Sequence, residues 1–365
     1  MIVDFDKLRA IYEKEIRVNT RNKKKIYRFD RFKSQNLTSI YDDLTNNRYN
    51  GMKYNIFLIR NPKYRIVMSL DIRDKIINHY ITRYMLMPKL EKYLDIRNVA
   101  TRKNMGRDYG IRLIKRYLEY YKTKDNCYVL KMDISKYFYR IDHRVLKNML
   151  KNDLSLEEYN LISMIIDSTN ESYINQSINS LKENELKKVK KRASEVEEIP
   201  IYQYGKGLPI GNMSSQFLSI FYLNRIDHKI IHDYHLKRFC RYMDDIIIFS
   251  DDLDYLKEVR LKLEKELKEK YLLDVNKKKT FIVNIKEEFN FCGYRFRIIN
   301  HKTVINVCKD TRGRAKRRIK EVKYLFCHDK MSFQSTFSSI NTYYNGFKYG
   351  SSKTIKRLVD KYFFG

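Results

Sequence analysis

The 365-residue sequence has no apolar run approaching 18 residues, no signal-peptide pattern and no lipidation motif. A membrane-spanning or lipid-anchored protein is therefore not expected, and a basic membrane-surface protein is disfavoured. The expectation is a soluble, intracellular, cytoplasmic chain with no membrane partner. Cysteine is sparse and unpatterned: Cys127, Cys240, Cys292, Cys308 and Cys327 include no C-x-x-C pair. Zinc ribbons and disulfide frameworks are thereby unsupported. His228, His232 and His235 have helical spacing, but they read more readily as surface or core histidines than as metal ligands. There is no internal repeat and no low-complexity linker.

Acidic residues are heavily outnumbered. Lys and Arg number 75 against 44 Asp and Glu, a net charge of +31. Such an excess repels itself unless a polyanion is bound, and nucleic acid is the natural candidate. The 31 Tyr and 19 Phe scattered among these cations are suited to stacking on bases. The length allows a sizeable core divided into two or three lobes.

Along the chain, residues 1–50 are polar and basic, with a short amphipathic opening (Leu8, Ile11, Tyr12, Ile16). Strands are predicted at Tyr54–Leu58 and Arg65–Ser69 around Asn61-Pro62-Lys63, then a helix from Asp74 to about Lys89. Ile111, Ile114, Leu118 and Tyr121 fall on one face of a half-buried helix, and Tyr128–Ile134 reads as a strand. Residues 170–198 have no clear period and read as a surface insertion. Ser214 or Ser215 is placed to cap a helix running through Ile230. Another amphipathic helix follows over 256–267, then strands at Leu272–Val275, Thr280–Ile285 and Phe289–Ile298. Beyond Lys309 a Lys- and Arg-rich helix carries one apolar stripe, either a phosphate-facing surface or a solvated face. The pattern is α+β, with helices covering antiparallel strands.

One stretch stands out. Asp244-Asp245 is wedged between Phe239-Cys240 and Ile246-Ile247-Ile248-Phe249, as a hairpin with acids at its tip is written. Aspartates are poor strand residues and costly to bury unpaired, so the pair is either a solvated turn or a cation site. Magnesium, which takes oxygen ligands and shares them with phosphates, is the cation expected. Asp133 ends the apolar strand Val129-Leu130-Lys131-Met132. Two strand ends from distant parts of the chain can converge in one sheet as a carboxylate cage of the kind phosphoryl transfer needs.

In order, Met132-Asp133-Ile134-Ser135-Lys136-Tyr137-Phe138, Gly207-Leu208-Pro209-Ile210-Gly211-Asn212-Met213-Ser214-Ser215-Gln216, Tyr242-Met243-Asp244-Asp245, Lys279-Thr280 and Phe291-Cys292-Gly293-Tyr294 resemble the motifs of reverse transcriptases. With Lys63, Arg65 and residues 100–106, the resemblance covers about residues 54–350. It implies a right-hand polymerase fold: a basic extension at 1–50, fingers at 51–127, palm at 128–299 with an insertion near 170–198, and a helical thumb at 300–365. It implies RNA-directed DNA synthesis with two Mg²⁺ ions, Mn²⁺ being a substitute. Asp133 and Asp244 would be the principal metal ligands, Asp245 a supporting one, and the carbonyl of Ile134 would complete the set. Lys63 and Arg65 would neutralise the triphosphate or contact RNA. Phe138 would be a steric gate against a ribose 2′-OH, or else a core aromatic. Gly211 would let backbone approach the base pair, or merely loosen the loop before the helix. Gln216 belongs to the same substrate-contacting motif, and Lys279 would act near the leaving group, with Lys277 and Lys278 as competitors.

The Ile210-Gly211-x-x-x-Ser215-Gln216 form resembles diversity-generating retroelement enzymes and defence-associated reverse transcriptases, with the fingers segment closer to the latter. The implied partners are a structured non-coding RNA, dNTPs, a DNA product, and an accessory protein or partner reverse transcriptase. Phage defence is favoured over retroelement mutagenesis. Untemplated or protein-primed synthesis and a non-catalytic RNA-binding scaffold are the alternatives. Little chain is left for a nuclease or maturase domain.

Overall fold

A computed structural model describes residues 3–365 except Pro62, Asp125, Lys190, Gly350 and Ser351. The expected turn at Asn61-Pro62-Lys63 thus falls in part, at Pro62, outside the described residues. The architecture is α+β, and every strand pairing is antiparallel. The chain divides into two compact units: Met1–Thr101 with Ile134–Asp233 and Lys262–Val275, and Arg102–Asp133 with Tyr234–Leu261 and Asn276–Gly365.

The first unit is mainly helical. Its opening helices include Phe5–Ile11, Lys23–Asp30 and Lys33–Thr45. Leu8, Ile11, Tyr12 and Ile16 are buried, joined by Leu37, Ile40 and Leu44, so a polar composition conceals an apolar seam. β1 (Tyr54–Ile59) and β2 (Arg65–Leu70) form a hairpin with Ile59 opposite Arg65. Residues 170–198 are more ordered than their polarity suggests, forming helices Ser172–Leu186 and Ala193–Glu197. Ile174, Ile178 and Glu185 are the residues buried on the longer helix. A charged side chain in the buried row erases the apolar period, which is why the sequence reads as irregular.

Neither Ser214 nor Ser215 is the cap. The helix Met213–Tyr222 starts after Asn212, and a second, Asn224–His232, follows a break at Leu223. Ser214 is buried and bonded to Asn78, accepting from its amide nitrogen at 2.7 Å and donating its backbone N–H to the amide oxygen at 3.1 Å. The expected strand Leu272–Val275 does not form. Leu272 has left-handed backbone (φ 55) and Val275 makes an isolated bridge to Ile134.

The second unit contains the sheets that matter for chemistry. β3 (Tyr128–Asp133), β4 (Phe239–Tyr242), β5 (Asp245–Ser250) and β6 (Phe281–Asn284) form a sheet in the order β4-β5-β3-β6. β7 (Phe289–Phe291), β8 (Tyr294–Ile299) and β9 (Lys302–Val307) form another. The single strand expected at Phe289–Ile298 is cut in two because Cys292 and Gly293 take positive φ (49° and 84°) and turn the chain back on itself. Val129, Leu130, Met132 and Ile246 to Ile248 are wholly buried, each contributing about 1.5–3 kcal/mol. Burial on both faces explains why these strands read as continuous apolar runs. The helix Arg107–Tyr121 covers them: Tyr117 packs edge-on against Phe249 (5.6 Å) and donates to the Phe239 carbonyl at 3.2 Å. The basic helix Lys309–Cys327 buries Ala315, Ile319 and Val322 of the expected stripe, whereas its fourth expected member, Phe326, is exposed. Among the described residues no helix is long and apolar enough to cross a membrane.

Candidate active site

The register of β3 against β5 puts Asp133 directly opposite Asp245. Tyr242 pairs with Asp245 across the β4–β5 hairpin, so Met243 and Asp244 make up its two-residue turn. Such turns need positive φ, and Met243 supplies it at 58°. For a bulky residue that conformation is strained. A fully buried Arg241 stabilises it, with its guanidinium Nη1 donating to the Met243 carbonyl at 3.0 Å.

The acids share one electrostatic neighbourhood. Asp245 has 22% of its side chain exposed. Burial pushes its carboxyl up to about 7, the Lys131 ammonium pulls it back, and the charges of Asp244 and Asp133 raise it further. Its Oδ2 lies 3.3 Å from Lys131 Nζ, whereas Oδ1 is buried without a hydrogen-bond partner. Lys131 is itself buried and donates to the backbone and side-chain oxygens of Asn290 at 2.7 and 2.5 Å. Asp133 holds the Lys279 ammonium between its two oxygens at 3.0 and 3.2 Å. The Asp133 carbonyl accepts from Asn276 N–H at 2.7 Å, and Lys279 N–H closes the same turn on Asn276 at 2.9 Å.

An orphaned carboxylate oxygen, and an acid already clasping a cation, fit a divalent ion. The donors are oxygens, which suits Mg²⁺ or Mn²⁺ over softer metals. Among the described residues, no three His, Cys, Asp or Glu side chains are gathered into a ready-made metal cage; Lys131 lies against Asp245 Oδ2 and Lys279 against Asp133. Of the three histidines, His228 bonds the Tyr93 carbonyl at 2.8 Å and its ring stacks on His232. All five cysteines are free thiols.

The other candidates belong to the first unit. Ile134 is buried. Phe138 is half-buried in the short helix Tyr137–Arg140, and its carbonyl accepts from Leu208 N–H at 2.7 Å. Gly211 has φ 126°, and a Cβ there would meet the Met68 carbonyl of β2 at 2.8 Å. Met68 N–H donates to the Ile210 carbonyl at 2.8 Å. Glycine at 211 thus serves a backbone-to-backbone approach between this loop and β2. Gln216 is exposed on its helix, and Lys63 and Arg65 are exposed on the hairpin.

Several residues escape sequence reasoning. Lys131 and Arg241 carry a weak signal, each a cation inside an apolar strand. Glu185 carries none. It accepts two hydrogen bonds from Arg60 (2.8 and 2.7 Å) and one from Tyr64 (3.2 Å). Arg192 lies 4.4 Å over the Tyr64 ring. The insertion therefore clasps the hairpin that bears Lys63 and Arg65. The Arg60 guanidinium holds the Glu185 carboxyl below the usual range.

Asp133 and Asp245 thus face each other on adjacent antiparallel strands, with Asp244 in the neighbouring turn and Lys131 and Lys279 against the two strand acids. Residues 52–296, well over half of the chain, match the family described as reverse transcriptase (RNA-dependent DNA polymerase), and the chain belongs to that family. The α+β architecture with antiparallel strands is in keeping with the right-hand polymerase fold of that family. A similar solved structure is the apo telomerase from Candida tropicalis truncated from its C-terminal domain. It is 14% identical with a TM-score of 0.47, the match covering 71% of this chain and 55% of that one. The chain thus spans about half the length of that protein. No curated protein matches the sequence.

Proposed function

We propose that the chain extends DNA on an RNA template by two-metal phosphoryl transfer, with Asp133 and Asp244 as principal metal ligands. Asp245 supports them, and the carbonyl of Ile134 completes the set. The observation that carries this reading is the β3–β5 register, which aligns Asp133 with Asp245 beside the Asp244 turn. When bound, Mg²⁺ (or Mn²⁺ in its stead) supplies charge neutralisation at the attacking and leaving oxygens. The primer 3′-hydroxyl oxygen bonds to the α-phosphorus of a dNTP, the bond to pyrophosphate breaks, and the hydroxyl proton passes to solvent. Lys279 serves the leaving group, Lys63 and Arg65 the triphosphate, Phe138 the sugar, and Gly211 with Gln216 the template and nucleotide.

The +31 charge and the basic helix Lys309–Cys327 support a structured RNA as the standing partner. The Ile210-Gly211-x-x-x-Ser215-Gln216 form supports a bacterial defence lineage, with an accessory protein or a second reverse transcriptase as a further partner. The decisive assay incubates purified protein and its copurifying RNA with labelled dNTPs and Mg²⁺. Incorporation should fall by about 10³-fold in Asp244→Asn with the circular dichroism spectrum unchanged. Equal incorporation by the variant overturns the metal assignment. Absence of incorporation with any primer or template favours an RNA-binding scaffold. Preference for NTPs would make it an RNA polymerase.

A further inference from the structure

The segment that follows β3 and the glycine-rich loop are stitched together in the first unit by a dense set of bonds. Gly207 N–H donates to the Ile141 carbonyl and Leu208 N–H to the Phe138 carbonyl, both at 2.7 Å. His143 N–H donates to the Gly205 carbonyl at 2.9 Å, and Asp142 bridges to Lys206. The contact leaves no room for a side chain at Gly207. Its φ is 90°, and a Cβ would stand 2.6 Å from the Tyr202 ring and 3.2 Å from the Phe138 carbonyl. Tyr202 in turn donates to the Leu208 carbonyl at 3.2 Å and packs 4.7 Å from the Tyr139 ring.

At the centre is a buried imidazole. His143 Nε2 lies 2.7 Å from the Gly207 carbonyl, and Nδ1 lies 3.0 Å from Asp167 Oδ1. Asp167 is steadied by Lys147 through its other oxygen. Thr169, also buried, adds a second hydrogen bond to the Gly207 carbonyl at 3.0 Å. One ring thus lies between the loop carbonyl and a carboxylate on the helix Leu156–Asp167, and in its neutral form its single N–H donates to one of the two. A buried polar group with partners on both sides rigidifies its surroundings. Its loss takes one of two side-chain partners from the buried Gly207 carbonyl and leaves Thr169 to hold it.

We propose that His143 is a positioning residue that locks the Gly207–Leu208 loop onto the Phe138 segment, and thereby sets how strictly deoxynucleotides are selected over ribonucleotides. This rests on the reading of Phe138 as the group that meets the sugar. His143 touches no substrate itself. It acts through the two backbone hydrogen bonds that make loop and gate move together. A gate works by sub-ångström steric exclusion, and small misplacements near reacting groups change rates steeply.

The test compares kcat/KM for dNTP and NTP incorporation in wild type, His143→Leu, His143→Gln and Thr169→Val, alongside amide hydrogen exchange at residues 205–208. In His143→Leu the dNTP preference should fall about tenfold or more, and the Gly207 and Leu208 amides should lose protection. His143→Gln keeps a donor for the Gly207 carbonyl and should recover most of the preference. Thr169→Val should shift it in the same direction by less. A folded His143→Leu protein with unchanged preference overturns the proposal, as does unchanged amide protection. A glutamine variant no better than leucine does so too. If wild type incorporates nothing, the polymerase reading fails, while the exchange measurement still decides whether His143 holds the loop.

Discussion

Lys131→Met tests the electrostatics of the carboxylate cluster directly. Methionine nearly matches the lysine stem in volume, so packing in β3 is kept while three polar contacts vanish. Two are the bonds to Asn290, an exposed residue whose oxygens can turn to water, so their loss costs about 1 kcal/mol. The third is the ion pair with Asp245 at 3.3 Å. Removing one partner of a buried pair costs about 3–5 kcal/mol when the other stays charged. Asp245, with its carboxyl already near pH 7, can avoid part of that cost by binding a proton. The sign follows. Lys131 lowers the Asp245 carboxyl, so its loss raises it further above 7, and ionising Asp245 becomes more destabilising as pH rises. The Lys131→Met penalty should be about 1 kcal/mol at pH 6 and about 2 kcal/mol at pH 8, since one carboxyl titrating near 7 adds at most about 1.4 kcal/mol over that range. In an Asp245→Asn background it should be the smaller value at both. The coupling at pH 8 is then about 1 kcal/mol, measured as a double-mutant cycle by urea unfolding in EDTA. Coupling under about 0.5 kcal/mol, or a penalty that ignores pH, refutes the reasoning.

Asp245 also predicts a metal effect. Its folded pKa, about 7, lies above the ordinary 3.8, so in the absence of metal its contribution is favourable at low pH and is lost as pH rises through 7. A divalent ion competes with that proton, so the rise in Tm on adding Mg²⁺ should be larger at pH 8 than at pH 6; equal shifts would argue that Asp245 is no ligand. Gly211→Ala combines a left-handed backbone with a contact of 2.8 Å to a main-chain oxygen that cannot swing away. It should destabilise by about 2 kcal/mol, read as a lower urea midpoint, and a neutral result would mean that β2 yields. Glu185→Ala should release the hairpin tip, seen as faster proteolysis near residues 60–64 with activity losses in dNTP KM. Unchanged cleavage would mean that the clasp by Arg60 and Tyr64 is dispensable.

The strands β3 and β5 and the acid-tipped turn were legible because each rests on short-range chemistry. A run of β-branched residues, a break in hydrophobicity and a pair of aspartates sit within a dozen positions of one another. The basic helix after Lys309 was legible for the same reason, its apolar stripe recurring at helical spacing. The expected strand at Leu272–Val275 failed where left-handed backbone at Leu272 outweighed apolar composition. The strand expected at Phe289–Ile298 was divided by a turn that Gly293 alone only hinted at. The insertion misled for a different reason, since Glu185 is a charged residue in a buried row and its partners Arg60 and Tyr64 lie far away in the chain.

The sequence by itself determined the family and the apolar strands that carry the acids, because residue type and local spacing encode them. Only the tertiary structure decided that Asp133 faces Asp245, that Lys131 rather than a neighbour steadies that acid, and that His143 holds the Gly207 carbonyl. Those pairings join segments remote in sequence. Strand register, helix packing and the satisfaction of buried polar groups select them together, and no window of local sequence contains that competition.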